Sequence, residues 1–163
     1  MNDKTLMNSI KINSKNANET KNIGKIIGKI INPGDIIILK GEMGTGKTTL
    51  TQGIGDALEV QSVVNSPTFI LLAKHVQARI PLYHADLFRL SDYKGSIELD
   101  LAEEAHDGVL VIEWPEIAEE VLPVERLEIE FFYAQNEHER IIKITDKYTK
   151  YEKLIEEIKN IQK

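Results

Sequence analysis

This sequence predicts an α/β fold: a mostly parallel central sheet flanked by helices, with an antiparallel strand pair near the C-terminus. Three observations carry the prediction. A short β-branched run, Asp35-Ile36-Ile37-Ile38-Leu39-Lys40, is bounded by Pro33-Gly34 and Gly41, the pattern of a strand buried on both faces of a parallel sheet. A glycine-rich loop then leads into Leu50, Ile54, Ala57 and Leu58, spaced as one face of a helix, so 36–58 reads as strand, loop and helix, the first part of an α/β crossover. Short apolar runs and amphipathic stretches keep alternating to the end, with no internal repeat and no linker among the 163 residues. The expectation is one domain, with a core over about 14–145 and a terminal helix over about 149–162.

The elements follow in order. Asn16 with Glu19 three residues on makes a capping box, and Ile23, Ile26, Ile27 and Ile30 line one helical face that ends near Asn32-Pro33-Gly34. Gly24 and Gly28 in that helix form a GxxxG spacing, read here as close packing because the segment is short and lysine-rich. After the second helix, short strands are expected at 69–73, 80–86 and 109–113. Helices are expected within 97–106 and 116–121, the second opened by Trp114-Pro115. Residues 127–133 and 140–145 read as strands around a polar turn. Tyr151, Leu154, Ile155, Ile158 and Ile161 then mark a last amphipathic helix.

Composition excludes several classes of protein. The chain is 42% hydrophobic and 28% charged, too apolar for wholesale disorder. It has no cysteine, hence no disulfide framework, thiolate metal site or cysteine nucleophile. No run reaches the ~18 apolar residues of a membrane span, and the first residues lack the layout of a signal peptide, so a cytoplasmic location is expected. A net charge of -6 disfavours a nucleic-acid binder of the basic-patch kind. Residues 98–130 hold twelve acids and one base, Arg126. This stretch reads as solvated faces, with an acidic partner surface as the functional alternative.

Gly41-Glu42-Met43-Gly44-Thr45-Gly46-Lys47-Thr48 is a complete G-x-x-x-x-G-K-[ST] between a predicted buried strand and a predicted helix. Glycines let the backbone bring its N–H groups to phosphate oxygens at the positive end of the helix dipole. Lys47 supplies a point charge to the β- and γ-phosphates, and Thr48 a hydroxyl to Mg²⁺. With Thr49, which caps or packs, these residues are the candidate nucleotide-binding set. Such a loop needs an acid at the end of a neighbouring strand, and two strands end that way. Glu113 follows four apolar residues, which places its carboxylate at the carboxyl edge of the sheet beside the phosphates; the alternative is a surface carboxylate capping the next helix. Asp86 ends the other strand, where period two puts Leu82, His84 and Asp86 on one face and makes His84 a packed or hydrogen-bonded residue under the aspartate. Ser66-Pro67-Thr68-Phe69 sits where nucleotide switches place a γ-phosphate sensor, or is a plain turn into a strand. Asp92-Tyr93-Lys94-Gly95 fits D-x-x-G, but no strand leads into it and no N-K-x-D follows anywhere; L-S-G-G-Q is absent too.

The loop 41–48, then Ser66-Pro67-Thr68-Phe69, His84-Ala85-Asp86-Leu87-Phe88-Arg89 and Ile112-Glu113-Trp114-Pro115-Glu116 together resemble, in order and spacing, the bacterial TsaE (YjeE) family over residues 14–145. The resemblance implies a P-loop α/β domain that binds and hydrolyses ATP with Mg²⁺, slowly or not at all alone, in a complex with TsaD and TsaB. That complex would serve threonylcarbamoyl modification of the adenosine 3′ of the anticodon in tRNAs reading codons that begin with A, with tRNA met through the partners and no membrane involved. By position it implies that Lys47 and the loop glycines hold phosphates and that Thr48 and Glu113 lie on the Mg²⁺ side. It also implies that Asp86, Glu113 and the switch-like Thr68 form the catalytic set, with Trp114 beside the site. Two residues depart from the family pattern: Phe88 stands where a tyrosine is usual, and Asp100 where a glycine is expected.

Two other readings share the loop. A small nucleoside or metabolite kinase would need a second pocket and several clamping arginines. The chain has only Arg79, Arg89, Arg126 and Arg140, and only Arg89 is placed near the site by sequence. A nucleotide-switched binding module without useful hydrolysis is the other.

Overall fold

The computed structural model describes residues 7–67, 70–92 and 100–163. Its frame is one seven-stranded sheet of strands β1 (Asn8–Ser14), β2 (Ile36–Lys40), β3 (Leu72–His75), β4 (Leu82–Asp86), β5 (Val109–Glu113), β6 (Leu127–Tyr133) and β7 (Arg140–Asp146), in the order β1-β7-β6-β2-β5-β4-β3. The four central strands, β6, β2, β5 and β4, are parallel, and β7, β1 and β3 add antiparallel edges. The parallel centre and the antiparallel β6–β7 pair are as predicted. In β2 every residue from Ile36 to Leu39 is buried, as expected of a strand covered on both faces.

Four helices, α1 (Ala17–Ile30), α2 (Lys47–Ala57), α3 (Leu101–Glu104) and α4 (Glu152–Ile161), accompany the sheet. The Asn16 side chain accepts from Glu19 N (3.0 Å) and Glu19 accepts from Lys15 N (2.7 Å), so the N-cap bond is as predicted while the carboxylate reaches back one residue further than the box requires. Ile23 and Ile27 join Leu50, Ile54 and Leu58 of the second helix and Ile37 and Leu39 of the sheet in the larger core. The other sheet face packs a smaller core around Ile36, Ile38, Leu110 and Ile112. Helices α1 and α2 touch backbone to backbone. A Cβ on Gly24 would overlap the Leu50 carbonyl oxygen, and one on Gly53 the Lys21 carbonyl oxygen. Close packing is therefore the reason for the glycines.

Several expectations need correction. Strand β1 is missing from the sequence reading. β3 begins at Leu72 rather than 69, and β4 at Leu82 rather than 80. A helix does lie within 97–106, as expected, but it is the single turn α3, capped at its start by Asp100 through Glu103 N. That aspartate has φ -82, so the position where glycine was expected makes no left-handed turn. Pro115–Ile117 is a 3-10 turn followed by further turns, not a helix over 116–121. Thr68, Phe69 and the segment 93–99, including most of the D-x-x-G match, lie outside the described residues.

The turn segment after β5 is tied down by charge. Lys40, at the end of β2, donates to Glu119 (2.6 Å), while buried Glu128 on β6 accepts from Lys147 (2.8 Å) and meets Arg126 (3.4 Å). Burial opposes it, but the bond to Glu119 and the charges of Glu128, Glu119 and Glu130 hold the Lys40 ammonium above its ordinary range.

Candidate functional site

The loop 41–46 leaves the carboxyl edge of β2 and runs directly into α2. Gly46 precedes the helix with φ 105, in the left-handed region, and Gly41 has φ 144. A side chain at Gly41 would also crowd the Phe131 carbonyl at 2.9 Å, so both positions require glycine. Thr45 Oγ1 closes the loop on Glu42 O (2.7 Å). Lys47 is buried and donates to the carbonyls of Gly41 (2.5 Å) and Glu42 (2.9 Å), with its ammonium 4.4 Å from the centre of the Trp114 ring. Burial lowers its pKa against the pull of Glu113, Asp86 and Glu116.

Parallel pairing of β4 with β5 sets Asp86 beside Glu113 and His84 beside Val111. Both carboxylates are buried, Glu113 to 3% exposure and Asp86 to 4%. Thr48 Oγ1 donates to Glu113 Oε1 (3.0 Å), and His84 Nε2 lies 2.9 Å from the same oxygen. Glu113 thus lines the cavity at the loop and bonds Thr48 and His84 rather than capping the next helix. His84 is hydrogen-bonded, as expected, but to Glu113 across the strand pair rather than under Asp86. Asp86 accepts from Ser66 Oγ (3.1 Å) and Phe88 N (2.9 Å), which ties the Ser66-Pro67 segment to the end of β4.

Loop residues Met43 to Thr49, with Ser66, Asp86, Phe88, Glu113 and Trp114, enclose a cavity of about 400 Å³. Trp114 holds a left-handed backbone at φ 55 and packs against Phe88, ring centres 4.9 Å apart. Such a conformation is strained for a bulky residue and clusters at ligand sites. The residue predicted to lack a hydroxyl, Phe88, here supplies a ring face to the tryptophan. A second cavity of about 250 Å³ lies on the other side of the loop, between Asn16, Ala17 and Thr20 at the start of α1 and Glu137, His138 and Arg140 of the β6–β7 hairpin. It shares Gly44, Thr45, Gly46 and Thr49 with the first. The hairpin grips the loop: Tyr133 donates to Met43 O (2.7 Å), and the Arg140 guanidinium lies 4.8 Å from the Tyr133 ring centre.

The sequence reading found Lys47, Thr48, Asp86, Glu113 and the loop, and the structure brings these together. It missed the hairpin side of the site. Arg89 follows Phe88 in the 3-10 turn Phe88–Asp92, and both residues are exposed. Among the described residues no arginine lines the first cavity, and no group of three or more His, Asp or Glu is arranged to hold a metal ion. The Thr48–Glu113 pair still fits Mg²⁺, which takes one or two protein oxygens and keeps several waters in such sites. No helix among the described residues is long and apolar enough to cross a membrane.

A glycine loop joining a central parallel strand to a helix, with a lysine and a threonine at the helix start and acids at the ends of the adjacent strands, defines the phosphate-loop class of α/β domains. Within that class, the chain belongs to the TsaE family, whose model, described as "Threonylcarbamoyl adenosine biosynthesis protein TsaE", matches residues 14–142. It is 39% identical over 153 residues to the tRNA threonylcarbamoyladenosine biosynthesis protein TsaE of Bacillus subtilis (strain 168), covering 93% of this chain and 95% of that one. The protein of the same name from Rickettsia bellii is 32% identical over 150 residues, 91% of this chain and 98% of that. The crystal structure of Bacillus subtilis YdiB superposes with a TM-score of 0.81 at 34% identity, covering 96% of this chain and 98% of that one.

Proposed function

We propose that this protein binds ATP with Mg²⁺ at the 41–48 loop and hydrolyses it, in the tRNA threonylcarbamoyladenosine biosynthesis for which its family is named, acting in a complex with TsaD and TsaB. The observation that carries the reading is the part-buried Thr48–Glu113 hydrogen bond beside a lysine held over the loop. Loop N–H groups and the start of α2 receive the β- and γ-phosphates. Phosphate oxygens replace the Gly41 and Glu42 carbonyls as partners of Lys47. The nucleoside lies in the second cavity, reached past Thr49. Thr48 and Glu113 would hold the shell of a Mg²⁺ ion, which would supply neutralisation of the charge developing on the phosphates. Asp86, fixed by Ser66 and Phe88 N, faces the same cavity and orients the attacking water. Hydrolysis breaks the bond from the γ-phosphorus to the bridging oxygen and gives ADP and phosphate. Thr68 serves as the γ-phosphate switch, and the site of action is the cytoplasm.

The absence of a clamping arginine from the first cavity, among the described residues, favours hydrolysis completed by a partner over phosphoryl transfer by a kinase. The test is phosphate release from ATP and Mg²⁺ by the protein alone and with TsaD and TsaB. Turnover that rises with the partners supports the proposal. ATP binding with turnover indifferent to them supports a nucleotide-switched module or a kinase instead.

A further inference from the structure

Among the described residues, two buried imidazole nitrogens have no protein partner: Nδ1 of His84, which is fully buried, and Nε2 of His75, which is 8% exposed. The rings belong to paired strands. Ala73 stands opposite His84 in the β3–β4 register and His75 lies two residues further on, so both histidines share the sheet face that packs under α2, as diagonal neighbours with Cβ atoms about 7 Å apart. That spacing suits one water between two imidazoles, with the two ring nitrogens as its polar partners. The outer end of the pair is also bonded. His75 Nδ1 lies 2.5 Å from Oγ of Ser62, an exposed residue on the loop between α2 and β3.

The hydrogen positions follow from the ends. A carboxylate only accepts, so His84 donates from Nε2 to Glu113, and in a neutral ring its Nδ1 is then the acceptor. For His75 to supply a donor from Nε2, its Nδ1 must accept from the Ser62 hydroxyl. Every bond then points one way: Ser62 to His75, His75 through water to His84, and His84 to Glu113. Burial and the nearby His84 lower the pKa of His75, the direction that favours the neutral ring this arrangement uses.

We propose that Ser62 and His75 are positioning residues for the Glu113 carboxylate, acting through a buried water and His84, so that the loop after α2 sets the orientation of the acid beside Thr48. The functional half of this inference rests on the reading of Glu113 as the carboxylate that serves Mg²⁺ and ATP.

The test has two arms. In the full-length, nucleotide-free protein, ¹⁵N spectra of the imidazoles report the tautomer of each ring. Both His75 and His84 are expected as the Nε2–H form, and Ser62→Ala is expected to shift His75 away from it. A His84 ring carrying its proton on Nδ1, or a His75 ring indifferent to Ser62→Ala, overturns the chain of bonds. The second arm compares ATP affinity in Mg²⁺ with that in EDTA. Partners behind a metal-serving side chain typically contribute 10–100-fold, so His75→Leu is expected to lose about 10-fold of the Mg²⁺ enhancement with its EDTA affinity unchanged. His75→Gln, which keeps a donor, should restore it. Equal losses in Mg²⁺ and EDTA, or a glutamine variant no better than leucine, would show that His75 only packs and overturn the inference. Should His75→Leu fail to fold, Ser62→Ala at the exposed end is read in the same way. Failure of the wild-type protein to bind ATP at all would instead overturn the proposed function, leaving the tautomers to decide the bonds.

Discussion

Replacing Gly53 by alanine in the middle of α2 sets two effects against each other. Helix propensity alone favours alanine by about 1 kcal/mol. The new methyl, however, overlaps the Lys21 carbonyl oxygen of α1 and stands 3.1 Å from Gly24 Cα. Overpacking costs about 1–3 kcal/mol, and a helical carbonyl cannot rotate aside as a side chain can, which places this case near the top of that range. The net loss is about 2 kcal/mol, or about 4–8 °C in Tm for a chain of this size. Gly55→Ala is the control. Two residues along the same helix, its Cβ meets side chains, Val64 (3.0 Å), Leu82 (3.6 Å) and Val60 (3.8 Å), and no carbonyl, so its Tm should stay within about 2 °C. Because α2 begins at Lys47, parting the helices also shifts the loop, and ATP affinity should fall in Gly53→Ala but not in Gly55→Ala. Gly24→Ala adds less on top of Gly53→Ala than alone, since both methyls press on the same crossing. Thermal melts of the four variants decide the matter; a Gly53→Ala protein more stable than wild type refutes the close-approach argument.

Other outcomes follow from the site and its surroundings. Lys47→Ala should weaken ATP binding about 10–100-fold, the worth of one charge-assisted bond to phosphate, as titrated through Trp114 fluorescence. Glu113→Gln should keep most ATP binding and lose hydrolysis; if Asp86→Asn does this and Glu113→Gln is silent, the two acids have exchanged roles. Tyr133→Phe removes the bond to Met43 O and should lower stability by about 1 kcal/mol together with ATP affinity, measured by denaturant melts and titration. The hydrogen bond from Lys40, against the opposing effect of burial and with the charges of Lys40, Arg126 and Lys147, holds the Glu119 carboxyl below its ordinary range. A depressed carboxyl stabilises above its unfolded pKa, about 4.3 for glutamate, and that stability is lost as pH falls through the folded value. The Tm difference between wild type and Glu119→Gln should therefore be small and positive near neutrality, since Glu119 is 35% exposed, and should vanish in acid.

What could be read in advance was local. The run 35–40, the loop and the face Leu50-Ile54-Leu58 each contain their own signal, because a doubly buried strand, a glycine turn and an amphipathic helix are properties of neighbours in sequence. Glu113 was legible for the same reason, an acid after four apolar residues. Strand β1 was not, because Ile10 and Ile12 are its only well-buried apolar residues and what makes it a strand is its pairing with β7, far along the chain. His84 was aimed at the wrong carboxylate because the choice between Asp86 and Glu113 depends on how β4 registers against β5. The cavity between Asn16 and Arg140 depends on which hairpin crosses which loop, and no spacing records that. The left-handed Trp114 is equally invisible, since no glycine or asparagine marks it.

The sheet order has a consequence for how the molecule comes into being. The first strand made, β1, has as its sheet neighbour the last, β7: Asn8 is opposite Asp146, and Ser14 opposite Arg140. Chain synthesis therefore leaves β1 without its partner until β7 has left the ribosome. The same late hairpin holds Met43 through Tyr133 and walls one of the two cavities at the loop. A growing chain can complete its parallel centre once β6 emerges, yet it cannot assemble the full pocket before β7 does. Completion of both cavities thus waits for β7, and long-range pairing of this kind is also what slows a fold.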